Sequence, residues 1–320
     1  MRSPLIALTG ATGFIGGRIA RHLSNRGFRV RALVRPGSQP RLPKGIQIEV
    51  CLGSLSEAEA LVRLLEGVEG LVHCAGLVRG LTQAQFDAVN VAGTERLLSL
   101  ARQLTTPPRL VFISSLAARQ PQLSPYALSK YRAEQVVARL GWGLSWLILR
   151  PPAVYGPGDR ELMPLLKAMA RGLLPILGPR DGRFSLLFVD DLARAVERAL
   201  VHPEVVGQVF ELHDGKPEGY GWDEVHAIAK AFRGRAVMRL PLPEWVLRAL
   251  AQLAVGGSQL TGRLPMLTQG KLNELRYPDW VCDNSAICQA LNWQPEIQFA
   301  QGLRLTLGEV QSTCRASCQR

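Results

Sequence analysis

The sequence predicts an α/β protein with a doubly wound parallel sheet in its amino-terminal half and a smaller, mixed region in its carboxyl-terminal half. Three observations carry that prediction. Strand-like apolar runs alternate with helical patterns as far as residue 151, as βαβ units on a parallel sheet require. A glycine-rich loop, "TGATGFIGG", joins the first of those runs to the first helical stretch. Beyond Pro151 proline and glycine become frequent, and irregular stretches separate the helical ones. One domain is therefore expected over 1–153, with part of 185–213 returning to it, and a second region over 154–320.

In order, the strand candidates are 5–10, 28–35, 46–51, 70–76, 109–115 and 144–151. Each is a short strand-like run dominated by apolar residues. Helical periodicity marks 14–25, 56–66, 85–103 and 127–140 between them, then 160–172, 190–201, 222–232 and 243–255 in the second half. No internal repeat or low-complexity segment interrupts the series.

Composition bounds the function. A chain of 320 residues with 47% hydrophobic and 20% charged content has enough apolar mass for a large core or two unequal domains. The formal net charge of +12 favours an anionic partner, such as a phosphorylated cofactor, an acidic lipid surface or nucleic acid. Scattered arginines with no block of like charge fit a solvated basic surface equally well, and no nucleic-acid recognition motif is present, so nucleic acid is not expected. The six cysteines, at 51, 74, 282, 288, 314 and 318, lack metal-ligand spacing. Reduced thiols in a cytoplasmic protein fit them, with Cys314 and Cys318 in a frayed tail. The opening "MRSPLIALTG" has an apolar run too short for a secretion signal, and no apolar stretch reaches the length of a membrane span.

The glycine loop is the first chemical motif. Gly10, Gly13 and Gly16 form G-x-x-G-x-x-G between strand and helix, where a dinucleotide pyrophosphate needs bare backbone amides at a helix start. At the end of the second strand, where an acid usually grips the adenosine ribose, stands Val34, followed by Arg35 with Arg41 and Lys44 nearby. A guanidinium there pairs with a 2′-phosphate, so NADP(H) is favoured, with NAD(H) the alternative. Farther on, "LVFISSLAARQPQLSPYALSK" places Tyr126 and Lys130 one helical turn apart, after Ser114 and Ser115. A phenol is a poor acid near neutrality, and an ammonium on the same helix face stabilises its phenolate. Ser115 can then align a substrate oxygen while Tyr126 moves the proton.

These motifs, with "HCAG" (73–76), "NVAGT" (90–94), "RPPAVYGPGD" (150–159) and "FVDDLARAV" (188–196), resemble the extended short-chain dehydrogenase/reductase superfamily, the NAD-dependent epimerase/dehydratase family, over nearly the whole chain. The resemblance implies a Rossmann domain with a substrate-binding carboxyl-terminal region. It carries Ser115, Tyr126 and Lys130 over as the catalytic trio, with Lys130 also on the nicotinamide ribose and Asn90 in the substrate-side hydrogen-bond network or the helix around it. Cofactor contacts are implied from Thr12, Phe14 and Ile15 in the loop, from Ser54 and Leu55 after the third strand, and from Cys74, Ala75 and Gly76 after the fourth. Pro151 and Val154, after the sixth, complete that set. A homodimer through the helices at 85–103 and 127–140 is also implied.

The departures narrow the reaction. Ser54 replaces the usual aspartate, the interval from Ser115 to Tyr126 is short, and Leu116 and Ala117 follow the serines where dehydratases carry acids, so dehydration is not expected. Pro151 and Pro152 stand where nucleotide-sugar enzymes place an asparagine, whereas Arg183 is kept where they often bind phosphate. The segment 242–271, rich in Leu, Ala and Val with Trp245, suits an apolar substrate, a membrane surface or plain domain packing. The expectation is an NAD(P)-dependent oxidoreductase acting on the carbonyl/hydroxyl pair of an apolar or lipid-like substrate. Alternatives are a nucleotide-sugar epimerase with bound NAD and a non-catalytic nucleotide-binding subunit.

Overall fold

The computed structural model describes residues 3–261, 264–265 and 267–317. Cys318 and the side chain of Cys314 lie outside the described residues; Cys51, Cys74, Cys282 and Cys288 are thiols. The chain runs β1 (Leu5–Thr9), α1 (Phe14–Asn25), β2 (Arg29–Val34), β3 (Glu49–Leu52), α2 (Ala58–Leu65), β4 (Gly70–His73), α3 (Gln83–Asn90), α4 (Ala92–Ala101), β5 (Arg109–Ile113), α5 (Pro125–Leu140) and β6 (Trp146–Arg150). It continues through β7 (Ala153–Tyr155), α6 (Met163–Arg171), β8 (Leu173–Ile176), β9 (Arg183–Phe184), β10 (Leu186–Phe188), α7 (Val189–Val201) and β11 (Gln208–Glu211). Last come α8 (Trp222–Arg233), β12 (Met238–Pro241), α9 (Glu244–Thr261), α10 (Gln269–Arg276), β13 (Asp279–Trp280), α11 (Ser285–Leu291) and α12 (Phe299–Ser317).

Two compact units result. The first comprises Met1–Pro151, Leu192–Leu212 and Asn284–Trp293. Its seven-stranded sheet has the order β11-β6-β5-β4-β1-β2-β3, and every pairing is parallel. Central strands such as β1 and β5 are buried along their whole length, because helices cover both faces of a parallel sheet and leave no polar side. The chain proceeds to one side of β1 through β2 and β3, then returns to the other side through β4. That reversal opens a crevice at the carboxyl ends of β1 and β4, where ligands of such sheets bind.

Two features differ from the sequence expectation. The helix expected over 85–103 is divided at Val91, where the Thr94 hydroxyl donates to Asn90 O at 2.7 Å, a back-bond that bends helices. The seventh strand, β11, was not among the strand candidates. Only Phe210 of its four residues is fully buried, so it shows no apolar run.

The second unit comprises Pro152–Asp191, His213–Asp283 and Gln294–Arg320. Among the described residues it has no large sheet, only the pairs β7–β10, β8–β12 and β9–β13. An aromatic cluster takes the place of a sheet core: Tyr155 meets Phe188 and Phe299 edge-on, and Phe299 also meets Tyr220. Asp214 accepts hydrogen bonds from the Tyr220 hydroxyl at 2.6 Å and from Phe299 N at 3.0 Å, which anchors the first turn of α12.

Candidate active site

Steric necessity fixes the glycine loop between β1 and α1. Gly10 has φ +83°, and a Cβ there would lie 2.8 Å from Ala75 N; at Gly16 it would lie 2.2 Å from Gly10 O. The loop thus lies directly against the segment after β4, bringing Cys74 and Ala75 to the same end of the sheet. Gly13 is exposed and opens α1 without a side-chain cap, and no acid occupies the first turn. The N–H groups of Phe14, Ile15 and Gly16 therefore face a position that suits an anion, and the residues fit a dinucleotide pyrophosphate.

Around this loop the buried polar groups form a directed chain. The Thr94 hydroxyl donates to Asn90 O, so it accepts from His73 Nε2 at 2.9 Å. In the neutral imidazole Nδ1 is then an acceptor, and the Thr9 hydroxyl donates to it at 2.7 Å while Thr9 Oγ1 accepts from Ala75 N at 3.1 Å. Burial, aided by the Lys130 charge, depresses the His73 pKa to about 3. The Asn90 side chain accepts from Leu77 N at 2.6 Å and donates to Leu77 O at 3.0 Å and Ser129 Oγ at 2.9 Å. It ties the segment after β4 to α5, so in this structure Asn90 holds the surrounding helix and loop.

Helix α5 begins with Ser124 accepting from Ala127 N at 2.9 Å and Pro125 in its first turn, a strong start signal. Tyr126 follows, half-buried, with Phe86 edge-on at 6.1 Å. One turn on, Lys130 is buried; its Nζ donates to Ile113 O at 2.8 Å and lies 4.5 Å from the Phe112 ring centroid. Desolvation lowers its pKa to about 8, against the opposing pull of the Glu134 carboxylate. Burial pushes the Cys74 thiol up to about 12, so Cys74 is neutral beside the ammonium.

The serine pair divides its labour. Ser114 is buried and donates to the Glu134 carboxylate, whereas Ser115 is partly accessible and its Oγ accepts from Ala117 N at 3.2 Å. Backbone bonds from Ser114 N to Leu149 O and from Leu116 N to Pro151 O, each 2.8 Å, clamp Ser115 from both sides. The short interval to Tyr126 folds as two 3-10 turns, Leu116–Arg119 and Pro121–Leu123.

Sequence reasoning missed the support beneath these residues. Glu134 is 3% exposed and takes a two-pronged ion pair from Arg150, with Nε to Oε1 at 2.9 Å and Nη2 to Oε2 at 2.5 Å. The hydrogen bond to Glu134 is the main cause of the raised Arg150 pKa. Glu211 of β11 stands 3.9 Å from Arg150 and 3.3 Å from Arg119, extending the network to the turn after Ser115. The available signal was the spacing Tyr126, Lys130, Glu134, which continues one helix face.

The remaining expected residues fall at several places. Arg35 is exposed in the turn closing β2, where Ser38 N donates to Arg35 O at 3.0 Å. Ser54 Oγ bonds Ser56 Oγ and Glu57 Oε1, and Leu55 packs on Gly93, whose Cβ would meet it at 3.0 Å. Gly76 approaches Asn90 Oδ1, 3.3 Å from where a Cβ would lie. Val154 lies on β7 in the second unit, paired in register with Leu187. Arg183, also in that unit, is committed to Glu218 O at 2.6 Å, Gly219 O at 3.0 Å and Glu224 at 3.0 Å.

Known proteins resemble the chain in sequence and in fold. The chain is 35% identical to a ceramide reductase of Caulobacter vibrioides over 288 residues, covering 90% of this chain and 89% of that one. It is 25% identical to a UDP-glucose 4-epimerase of Vibrio cholerae, covering 94% of each. A solved UDP-glucose 4-epimerase from Thermotoga maritima superposes with a TM-score of 0.75 at 20% identity, over 97% of this chain and 99% of that one, which establishes the fold. The match to the family's sequence signature spans residues 6–212, taking in the glycine loop, the serine pair, Tyr126, Lys130 and the strand that brings Glu211. The chain therefore belongs to the NAD-dependent epimerase/dehydratase family, within the extended short-chain dehydrogenase/reductases.

Proposed function

We propose that the protein is an NADP(H)-preferring reductase of a ketone on an apolar, lipid-like substrate, with an oxidised ceramide or related 3-oxo lipid as the substrate class. The observation that carries the chemistry is Lys130, a buried ammonium one helical turn from Tyr126 and held at the end of the strand that delivers the serine pair. The substrate class is supported by the Caulobacter relative and by Pro151 and Pro152, which offer no side-chain grip for a diphosphate.

The amides at the start of α1 would hold the pyrophosphate and Arg35 the 2′-phosphate, and a dihydronicotinamide so bound would be the hydride donor to the carbonyl carbon. Ser115 Oγ accepts from Ala117 N, which leaves its O–H to donate to the substrate oxygen. Tyr126 protonates that oxygen as charge develops. Lys130 stabilises the phenolate left behind, with one of its three N–H groups fixed on Ile113 O. The epimerase reading gains less support, since the Arg183 guanidinium is already bound by two carbonyls and a carboxylate.

The test is NADPH consumption with a detergent-dispersed oxidised ceramide. Turnover by wild type and a loss of roughly 10³-fold in Tyr126→Phe are expected. Arg35→Ala should raise the Kd for NADPH about tenfold and leave that for NADH unchanged. Epimerisation of UDP-glucose by protein that retains NAD through purification, without lipid turnover, would replace this reading with the epimerase.

A further inference from the structure

We propose that the outward face of α9 docks the protein on an anionic lipid bilayer. The purpose of such docking rests on the lipid-substrate reading above, but its observations are independent of that chemistry. Helix α9 is apolar on two sides. Leu247 and Ala251 face inward and are 2% exposed, whereas Trp245 is 71%, Leu250 46% and Leu253 73% exposed. Trp245, Ala249 and Leu253 recur every four residues and so form one outward stripe. A Cβ on Gly256, the next residue along that stripe, would meet nothing within 4 Å. From Ala249 to Thr261 the sequence has no charged residue, although a helix that merely caps a core carries charges outward. The preceding strand, β12, adds Met238 at 63% and Leu240 at 38% exposure, two residues apart.

Charge selects the occupant. Residues 230–276 contain eight Lys/Arg and two Asp/Glu, half of the net +12 of the chain. Arg248, with a side chain 57% exposed, sits one turn from Trp245 and reaches Glu244. A tryptophan-bearing apolar stripe with basic neighbours is suited to the headgroup boundary of a bilayer containing acidic lipid. A second copy would bring the same positive charge to the same face, and a stripe about 12 Å long is too small for the roughly 800 Å² per partner that a stable dimer needs. Among the described residues no helix is long and apolar enough to cross a membrane, so α9 would lie on the surface.

Flotation with phosphatidylcholine vesicles, with and without about a third phosphatidylglycerol, tests this. Wild type should float with the anionic vesicles at low salt and be released near 1 M salt, where screening acts within roughly 3 Å. Trp245→Ser combined with Leu253→Ser should lower the partition coefficient about tenfold or more. Trp142→Ser, at a tryptophan 86% exposed but isolated in a Gly-Trp-Gly turn, should leave it unchanged. Turnover of a water-soluble ketone should be the same in the double variant as in wild type, and Tyr126→Phe should bind vesicles fully. Wild type that stays in solution, equal binding to neutral and anionic vesicles, or a double variant that binds as wild type would each overturn the proposal. So would sedimentation equilibrium showing a wild-type dimer that the double variant dissolves, with no vesicle binding, since the face would then belong to a second copy. Failure of the reductase reading would appear separately, as undiminished turnover by Tyr126→Phe.

Discussion

The two units hold themselves together by different means. In the first, seven parallel strands pair in an unbroken series, and buried polar side chains knit the strand ends to α5. In the second, the described strands form isolated pairs around an aromatic cluster, and a buried carboxylate anchors a helix. The difference teaches where chemistry and stability reside. Replacing a polar residue at the sheet end should abolish reaction while sparing the fold, whereas replacing an aromatic residue of the cluster should do the reverse.

The largest effect is expected at Lys130. Lys130→Met should cut turnover by about 10³-fold with an unfolding midpoint within a few degrees of wild type, because a desolvated ammonium is removed together with its single bond to Ile113 O. In wild type, reduction should decline above about pH 8 as Lys130 loses its proton; a rate that holds steady to pH 10 would show that this ammonium does not tune Tyr126. The matching change in the second unit is Phe299→Ala. It removes a ring packed on Tyr155 and Tyr220 and should cost about 3–5 kcal/mol of stability by denaturant unfolding, with NADPH affinity retained.

Gly16→Ala sharpens the comparison from the other side. A Cβ 2.2 Å from Gly10 O displaces the loop, so about 2–3 kcal/mol of stability and most NADPH binding should be lost together. Gly17→Ala, whose Cβ meets Ala11 O at 3.3 Å, should be milder on both measures. The smallest effect is a pH slope in the second unit. Burial raises the Asp214 pKa to about 6, so the folded state binds this proton more tightly than the unfolded state. Its stabilising contribution is complete below about pH 4, near the ordinary carboxylate value, and disappears as pH rises through 6. Asp214→Asn should flatten the corresponding fall of roughly 2–3 kcal/mol in stability measured from pH 4 to 7.

Most of the first unit was legible because its signals are local. The glycine loop, the proline and serine at the start of α5, and the Tyr126–Lys130 spacing each lie within one short segment. The roles of Ser114 and Ser115 needed three dimensions, since only pairing with β6 shows that one faces Glu134 and the other does not. Glu134 and Arg150 were missed because neither residue is informative until strand and helix meet. The strand pairs of the second unit join segments such as 173–176 and 238–241, whose partnership no local pattern encodes. Arg183 illustrates the converse hazard: its position suggested phosphate binding, but its partners Glu218, Gly219 and Glu224 lie some 35–41 residues downstream.

The sheet order also bears on how the protein emerges from the ribosome. Strand β11 hydrogen-bonds β6, yet all of Pro152–Asp191 is translated between them, and α11 of the same unit arrives only near the end of the chain. A nascent chain carrying β1 to β6 presents an open strand edge while the intervening segment is made. Folding of the first unit therefore cannot be completed in the order of synthesis, and the interval before Gln208 emerges is when premature edge-to-edge association would compete with the native pairing.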